Sequence, residues 1–352
     1  MFARNCAALV VLALAASLAQ AAKPRYEYRV TQVAPLYSDG NAINRNGATV
    51  ATYQFTGAGV HAFLTYPGGT AIIGGLGDFN NVSYGLGIND RLQVVGQSET
   101  AAGARGFIYQ NGALSDINVF LPAHTSANGI NNAGHITGTY QYTGAPLRGF
   151  LRAPDGGFRD IGTLAFANPY TWPLAINKHR QVVGNAGSWD GARTPHPFLY
   201  HNGSMRQLGS LGAGPGEARD INDRGQVTGY SALKAPGVRH AVVWQAGRTV
   251  DIDGRKGVGQ SVGNGINNHG HVVGTSDHLG AFIWRGKKME SLDALIDPAG
   301  GYSIRDVRGI NDKGQIVGYA DQFGVAFGFA VRLDPVPVPC PTTASGEAAP
   351  AQ

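Results

Sequence analysis

Apolar residues in this chain come in short bursts separated by Gly, Asn and Asp, and nowhere do they keep the three-to-four-residue spacing of a long amphipathic helix. The bursts recur in phase. Ile-Asn, two polar residues, a Gly position, one further residue, an aliphatic pair and Gly run from Ile88 to Gly96, Ile130 to Gly138, Ile176 to Gly184, Ile221 to Gly229, Ile266 to Gly274 and Ile310 to Gly318, with a weaker first copy from Ile43 to Gly47. Successive isoleucines lie 45, 42, 46, 45, 45 and 44 residues apart. A second anchor follows in each unit, a small residue, then an aromatic or aliphatic run, as in His61-Ala62-Phe63-Leu64, Gly149-Phe150-Leu151, Ala241-Val242-Val243-Trp244 and Ala281-Phe282-Ile283-Trp284. Asn111-Gly112 and Asn202-Gly203 then give hairpin signals, and short segments such as Asp160-Ile161 close the unit.

Each unit therefore predicts four short strands: a, ending at the Ile; b, with the aliphatic pair; c, with the aromatic; and d. Four strands in about 45 residues, repeated in series, is the pattern of a β-propeller blade. The expected fold is all-β, a seven-bladed propeller of four-stranded blades over residues 22–333. The seventh unit has no strand d of its own. Tyr28 to Val33 precedes the first Ile-Asn as the other d strands precede theirs, so the N-terminal strand is expected to complete the last blade and close the ring.

The ends read differently from the repeats. Arg4, an apolar run from Ala7 to Ala19 and Ala19-Gln20-Ala21 have the layout of a secretory signal peptide over residues 1–21. Its apolar run is too short for a spanning helix, and the predicted mature chain has no segment of about 20 apolar residues. The expected address is periplasmic or extracellular. Residues 334–352 are Pro-rich, small and polar, and are expected to form a disordered tail. Cleavage would leave Cys340 as the single cysteine, so stability must come from packing and not from a disulfide within the chain.

Composition changes the picture in one respect. The 352 residues include 52 Gly, and only 14% are charged, values that on their own suggest disorder. With 43% hydrophobic residues and glycines at fixed repeat offsets, the same figures instead describe turns and close-packed strands. A formal net charge of +5 is spread without a run of Lys and Arg, which argues against nucleic-acid binding but leaves attraction to anionic surfaces open.

The Ile-Asn-x-x-Gly and His-Ala-Phe-Leu anchors resemble the HAF family of bacterial extracellular repeats, whose tripeptide stands here as His61-Ala62-Phe63. The resemblance covers almost the whole predicted mature chain. It implies export and a repeated β fold, and brings no activity, cofactor or catalytic residues with it.

Candidate chemistry is sparse. The Asn of Ile-Asn and the following Asp or Asn fit turn capping better than Ca²⁺ ligation. Leu92 and Arg180 replace the turn glycine in two copies, so those turns are expected to differ. His61, His196, His240, Arg105 and Arg148 occupy one repeat position on strand c, where equivalent sites spread around a ring instead of converging. His269, His271, His278 and Asp277 form the one local metal candidate, read as structural, and no cofactor or metal is expected. No nucleophile elbow, metalloprotease helix or phosphate loop is present. Acids outside the repeat, namely Asp190, Glu217, Asp277, Asp306 and Asp321, are where a carboxylate pair for glycan cleavage would lie.

In such a blade the b–c loops and the d-to-a connections share one face, and the repeated turns share the other. Loops vary from copy to copy on the first face, which marks it as the binding face. The fourth blade elaborates it most, with Asn168-Pro169-Tyr170-Thr171-Trp172-Pro173 leading in and Ser188-Trp189-Asp190-Gly191-Ala192-Arg193 between b and c. Tyr170, Trp172, Trp189, Asp190 and Arg193 are the candidate ligand-binding residues. The expected role is an exported, non-catalytic binding or scaffold module for a glycan, envelope or protein partner. The alternative is a polysaccharide-active lyase or glycosidase acting on the same face.

Overall fold

Each repeat unit folds as a four-stranded antiparallel sheet, and the computed structural model arranges seven of them as the blades of a ring. It describes residues 26–55, 59–77, 81–117, 124–189, 194–212, 214–325 and 327–336. The segment read as a signal peptide and most of the Pro-rich tail lie outside the described residues. Blade 4 is representative, with strands Pro169–Ile176, Val182–Ser188, His196–His201 and Ser204–Gln207 in that order from the axis outwards. The only helical elements among the described residues are two 3₁₀ turns, Asp293–Leu295 and Pro298–Gly300, between blades 6 and 7.

The N-terminal strand closes the ring as expected. Tyr28–Leu36 pairs antiparallel with Phe329–Pro335, in register Tyr28 to Pro335 and Val30 to Leu333, and becomes strand d of blade 7. That last strand c runs two residues past the expected propeller end at 333. Asp334 holds it there, accepting from Thr31 Oγ1 at 3.0 Å and Gln315 Nε2 at 2.6 Å and pairing with Arg332 at 2.8 Å.

The core lies between blades. The strand c aromatics Phe107, Phe150, Phe198, Phe282 and Phe329 are among the largest fully buried side chains. They pack with strand b aliphatics such as Val94, Val182 and Val272 and with the strand a isoleucines. The glycine that closes strand b has a direct steric reason. A Cβ on Gly96, Gly138, Gly184, Gly229, Gly274 or Gly318 would stand 1.8–2.1 Å from a carbonyl oxygen of the neighbouring strand a.

That close approach accompanies a β-bulge in strand a. Every blade shifts register at the same place, between Gly40 and Ala42, Gly85 and Gly87, Ala127 and Gly129, Pro173 and Ala175, Ala218 and Asp220, Gly263 and Gly265, and Val307 and Gly309. The extra residue, two before the Ile, is turned out of the ladder, as bulges do when they re-aim a side chain.

Candidate functional site

The seven bulge residues meet around the ring axis. Asn41, Leu86, Asn128, Leu174, Arg219, Asn264 and Arg308 all line one open cavity of about 1130 Å³ at the loop end of the channel. Strand c positions spread around the ring, but these strand a positions converge, and this constellation did not stand out in the sequence. Its signal was present: one variable residue followed by Gly or Ala, or by Asp220 in blade 5, just before each Ile-Asn.

Three of the five expected ligand residues line this cavity, namely Tyr170, Trp172 and Trp189. Asp190 and Arg193 lie outside the described residues. Tyr170 and Trp172 were expected in a loop leading into blade 4, but they belong to its innermost strand, Pro169–Ile176. Pro169 and Pro173 bring no backbone donor to this strand. Strand a is the inner edge of its blade, with one side unpaired, so it accepts them. Tyr170, Trp172 and Leu174 then line the cavity at every second residue. Trp172 is 49% exposed, whereas Tyr170 is buried against Trp189, ring centroids 6.2 Å apart in a T-shaped pair. Trp189 is tied to the lead-in segment, its N–H donating to the Asn168 carbonyl at 2.8 Å.

The opposite wall is charged. Arg219 donates to Glu217 Oε2 through Nε at 3.2 Å and Nη2 at 3.0 Å, and to Asn264 Oδ1 through Nη1 at 2.7 Å. Asn264 Nδ2 reaches the Val307 carbonyl at 2.8 Å, and Asp306 Oδ1 at 3.3 Å. Arg308 donates to Asp306 Oδ2 at 2.9 Å and to Asn41 Oδ1 at 2.5 Å. Guanidinium, amide and carboxylate thus alternate across blades 5, 6, 7 and 1, facing Leu86, Leu174 and the blade 4 aromatics. Arg305, also on the wall, is bound to Asp321 at 2.7 Å. Behind Arg219, Asp220 fills a position that is Gly or Ala in every other blade. Its Oδ1 accepts from Ile221 N and its Oδ2 from Ile266 N, both at 2.8 Å. Desolvation between the blades raises this carboxyl to about 6 in spite of those donors.

Of the acids outside the repeat, Glu217 and Asp306 line the cavity and Asp321 braces Arg305. Asp277 sits apart, bound to Arg255 at 2.8 Å. The histidine group of blade 6 does not assemble. His269 and His271 lie at the turn end, and His278, hydrogen-bonded to Ser276 at 2.7 Å, lies beyond strand Val272–Ser276 at the loop end. Among the described residues no cluster of three His, Cys, Asp or Glu has a metal-holding arrangement. His240 is fully buried, between Asp251 Oδ2 at 2.8 Å and the Val258 carbonyl at 3.0 Å.

At the other end of the axis the seven Ile-Asn turns meet. Each Asn donates through Nδ2 to the Asn carbonyl of the next blade, from Asn44 to Asn89 at 3.0 Å, on through Asn131, Asn177, Asn222 and Asn267, and from Asn311 back to Asn44 at 3.0 Å. Each Oδ1 meanwhile accepts two amides of its own turn, as Asn222 does from Arg224 N and Gln226 N, both at 3.0 Å. Only an amide side chain can accept two bonds and donate another in this way; a carboxylate lacks the donor. The turns with Leu92 and Arg180 do not differ from the rest. These residues adopt φ of 60° and 61°, the left-handed conformation that Gly47, Gly134, Gly225, Gly270 and Gly314 have elsewhere.

Comparison with known families finds no matching family model, and no curated protein matches the chain. Solved structures match in fold. Virginiamycin B lyase from Staphylococcus aureus aligns with a TM-score of 0.55 at 9% identity, over 89% of this chain and 100% of that one. YCF48 bound to D1 peptide aligns with a TM-score of 0.52 at 9% identity, over 94% and 98%. TolB from Acinetobacter baumannii aligns with a TM-score of 0.45 at 10% identity; 73% of this chain is covered, but only 61% of TolB. At these identities the likeness concerns the propeller fold alone.

Proposed function

We propose that this chain is an exported propeller that binds a carbohydrate in the loop-end cavity without transforming it. One observation carries the reading: a cavity of about 1130 Å³ whose wall is built from equivalent strand positions occupied by different residues, aromatic and aliphatic on one side, guanidinium, amide and carboxylate on the other. Its volume stands just above the roughly 300–1,000 Å³ usual for ligand sites. Such a wall suits a sugar, whose apolar ring face stacks on indole while its hydroxyls bond to Asn, Arg and carboxylate. The signal-like segment 1–21 and the resemblance to extracellular repeats support export. YCF48, of like architecture, is described with a D1 peptide, which supports binding as a use of this fold and makes a peptide the competing ligand.

The test is a glycan array and a peptide library, each read with wild type and with Trp172→Ala/Trp189→Ala. Carbohydrate binding lost at least about tenfold in the double variant is expected, since truncating a central aromatic anchor costs about 2 kcal/mol or more. Unchanged binding would sink the site, and exclusive peptide capture would replace the ligand. Glu217 and Asp306 keep an enzymatic reading alive because both line the cavity. Each is already engaged by a guanidinium, which favours the binding role. Release of reducing or unsaturated ends from a polysaccharide panel would reverse that preference.

A further inference from the structure

We infer that the turn face docks onto a bilayer surface bearing anionic phosphate headgroups, leaving the cavity pointing away from it. The first observation is charge. Arg91, Arg180, Arg224 and Lys313 in the a–b turns, with Arg248 and Lys287 at the c–d turns, are exposed, and among the described residues none of these six is in an ion pair. On the loop face, among the described residues, Arg148, Arg219, Arg255, Arg305 and Arg308 are each paired with a carboxylate and Lys234 and Lys256 are not, while Arg45, Lys178, Arg285 and Lys288 are paired cations of the turn face. Three carboxylates at the turn end, Asp90, Asp223 and Asp312, line the small central dimple of about 190 Å³. There they cap backbone amides of the neighbouring blade, Asp312 accepting from Asn268 N at 2.8 Å and Asp223 from Lys178 N at 3.1 Å. Further out on this face lie Asp155 and Glu290, the latter paired with Arg285 and Lys288, so the six cations without an ion pair still outnumber the carboxylates left unpaired around the dimple.

The second observation is shape. All seven a–b turns contain five residues, whereas the loops between b and c vary from two to seven. The a–b turns therefore make an even inner ring, around which the c–d turns vary from two to five residues. A flat array of separate cations matches a plane of phosphates, whereas a single polyanionic chain would need a groove. The third observation is what the face lacks. Among the described residues the exposed large apolar side chains Tyr37, Tyr142, Trp172, Val258, Phe323 and Phe327 belong to the loop end, Ile72 and Val250 lie on outer strands d, and Val336 stands at the turn end. Contact made this way is electrostatic, without insertion, and decays within a Debye length of about 10 Å at 0.1 M salt.

The experiment is sedimentation of the chain, lacking residues 1–21, with phosphatidylcholine vesicles made with and without one-third phosphatidylglycerol. Wild type is expected to sediment with the anionic vesicles only, and to be released at roughly 0.5 M salt. Arg91→Glu/Arg224→Glu/Lys313→Glu should weaken the association by about tenfold or more, and the matching Gln set by less. Lys234→Glu/Lys256→Glu, at unpaired cations on the loop face, should leave it within about twofold. Thermal unfolding of each variant separates lost docking from lost fold. No association with anionic vesicles, full retention in the triple Glu variant, or equal loss in the loop-face pair would overturn the proposal. So would binding to soluble dextran sulfate with none to vesicles.

Discussion

The two ends of the channel are made by the same strands, yet they have opposite designs. At the turn end seven asparagines form a closed circle of inter-blade hydrogen bonds, and all seven are buried. At the loop end the seven bulge positions, only a few residues upstream, hold Asn, Leu, Asn, Leu, Arg, Asn and Arg. Where the residue is the same in every blade, it holds the ring together. Where the backbone is the same but the residue changes, the Asn and Arg side chains still bond to the next blade, as Asn41 does to the Gly85 carbonyl and Asn128 to the Pro173 carbonyl, but Leu86 and Leu174 cannot, and all seven line the cavity.

Substitution at the two ends should separate these roles by the largest margin. Asn222→Ala strips two turn amides and the Asn267 carbonyl of their buried partner, at 1–3 kcal/mol for each group left unsatisfied, reduced where water can enter; a loss of about 3–4 kcal/mol is expected. Trp172→Ala removes a side chain that is 49% exposed and should cost below about 1 kcal/mol while weakening the proposed carbohydrate binding. Urea unfolding of both variants checks the pair. Equal losses would mean that the loop end is as structural as the turn end.

The contrast also explains which features were readable before the structure. Identical residues at a fixed spacing announce a repeat, so seven blades, their four strands and the closing strand Tyr28–Leu36 followed from periodicity. Trp172 and Trp189 stood out because they break the repeat, and both reach the cavity wall. Arg219, Asn264 and Arg308 did not stand out. They reach the axis through a bulge that no residue type announces, and a residue that varies from copy to copy looks like an unconstrained strand position. The ring of asparagines was visible as a motif but was read only as a turn, since its second half, the bond to the next blade, spans about 45 residues and depends on the closed ring.

Asp220 sharpens the comparison from inside the wall, because it places a carboxylate where Gly87, Gly129, Gly265 and Gly309 stand in other blades. Its folded value of about 6 lies above the ordinary 3.8, so the folded state holds this proton more tightly than the unfolded chain. The favourable contribution is present below about pH 4 and is lost as pH rises through 6. The stability of wild type relative to Asp220→Gly should therefore fall by about 2–3 kcal/mol between roughly pH 4 and pH 7.5. Urea unfolding of both proteins across that range measures the difference and cancels the titration of every group they share. A flat difference would mean that water reaches the carboxyl and that blades 5 and 6 are not sealed at this point.

The smallest expected effect tests whether the turn end is as uniform as its hydrogen bonds imply. Arg180 adopts φ of 61° because its N–H must reach the Asn177 carbonyl, at 3.1 Å, as Gly225 N reaches Asn222 at 3.0 Å. An L-residue in that conformation costs roughly 1–2 kcal/mol, and glycine returns part of the gain through its freer unfolded chain. Arg180→Gly should thus stabilise by about 0.5–1 kcal/mol in thermal or urea unfolding. Leu92→Gly should gain less, because Leu92 also packs against the cluster around Val50 and Phe107. If Arg180→Gly is instead destabilising, the guanidinium and not the turn is what the fold uses at this position. If it is stabilising and also weakens association with anionic vesicles, the strain at residue 180 is the cost of keeping a cation on the docking face.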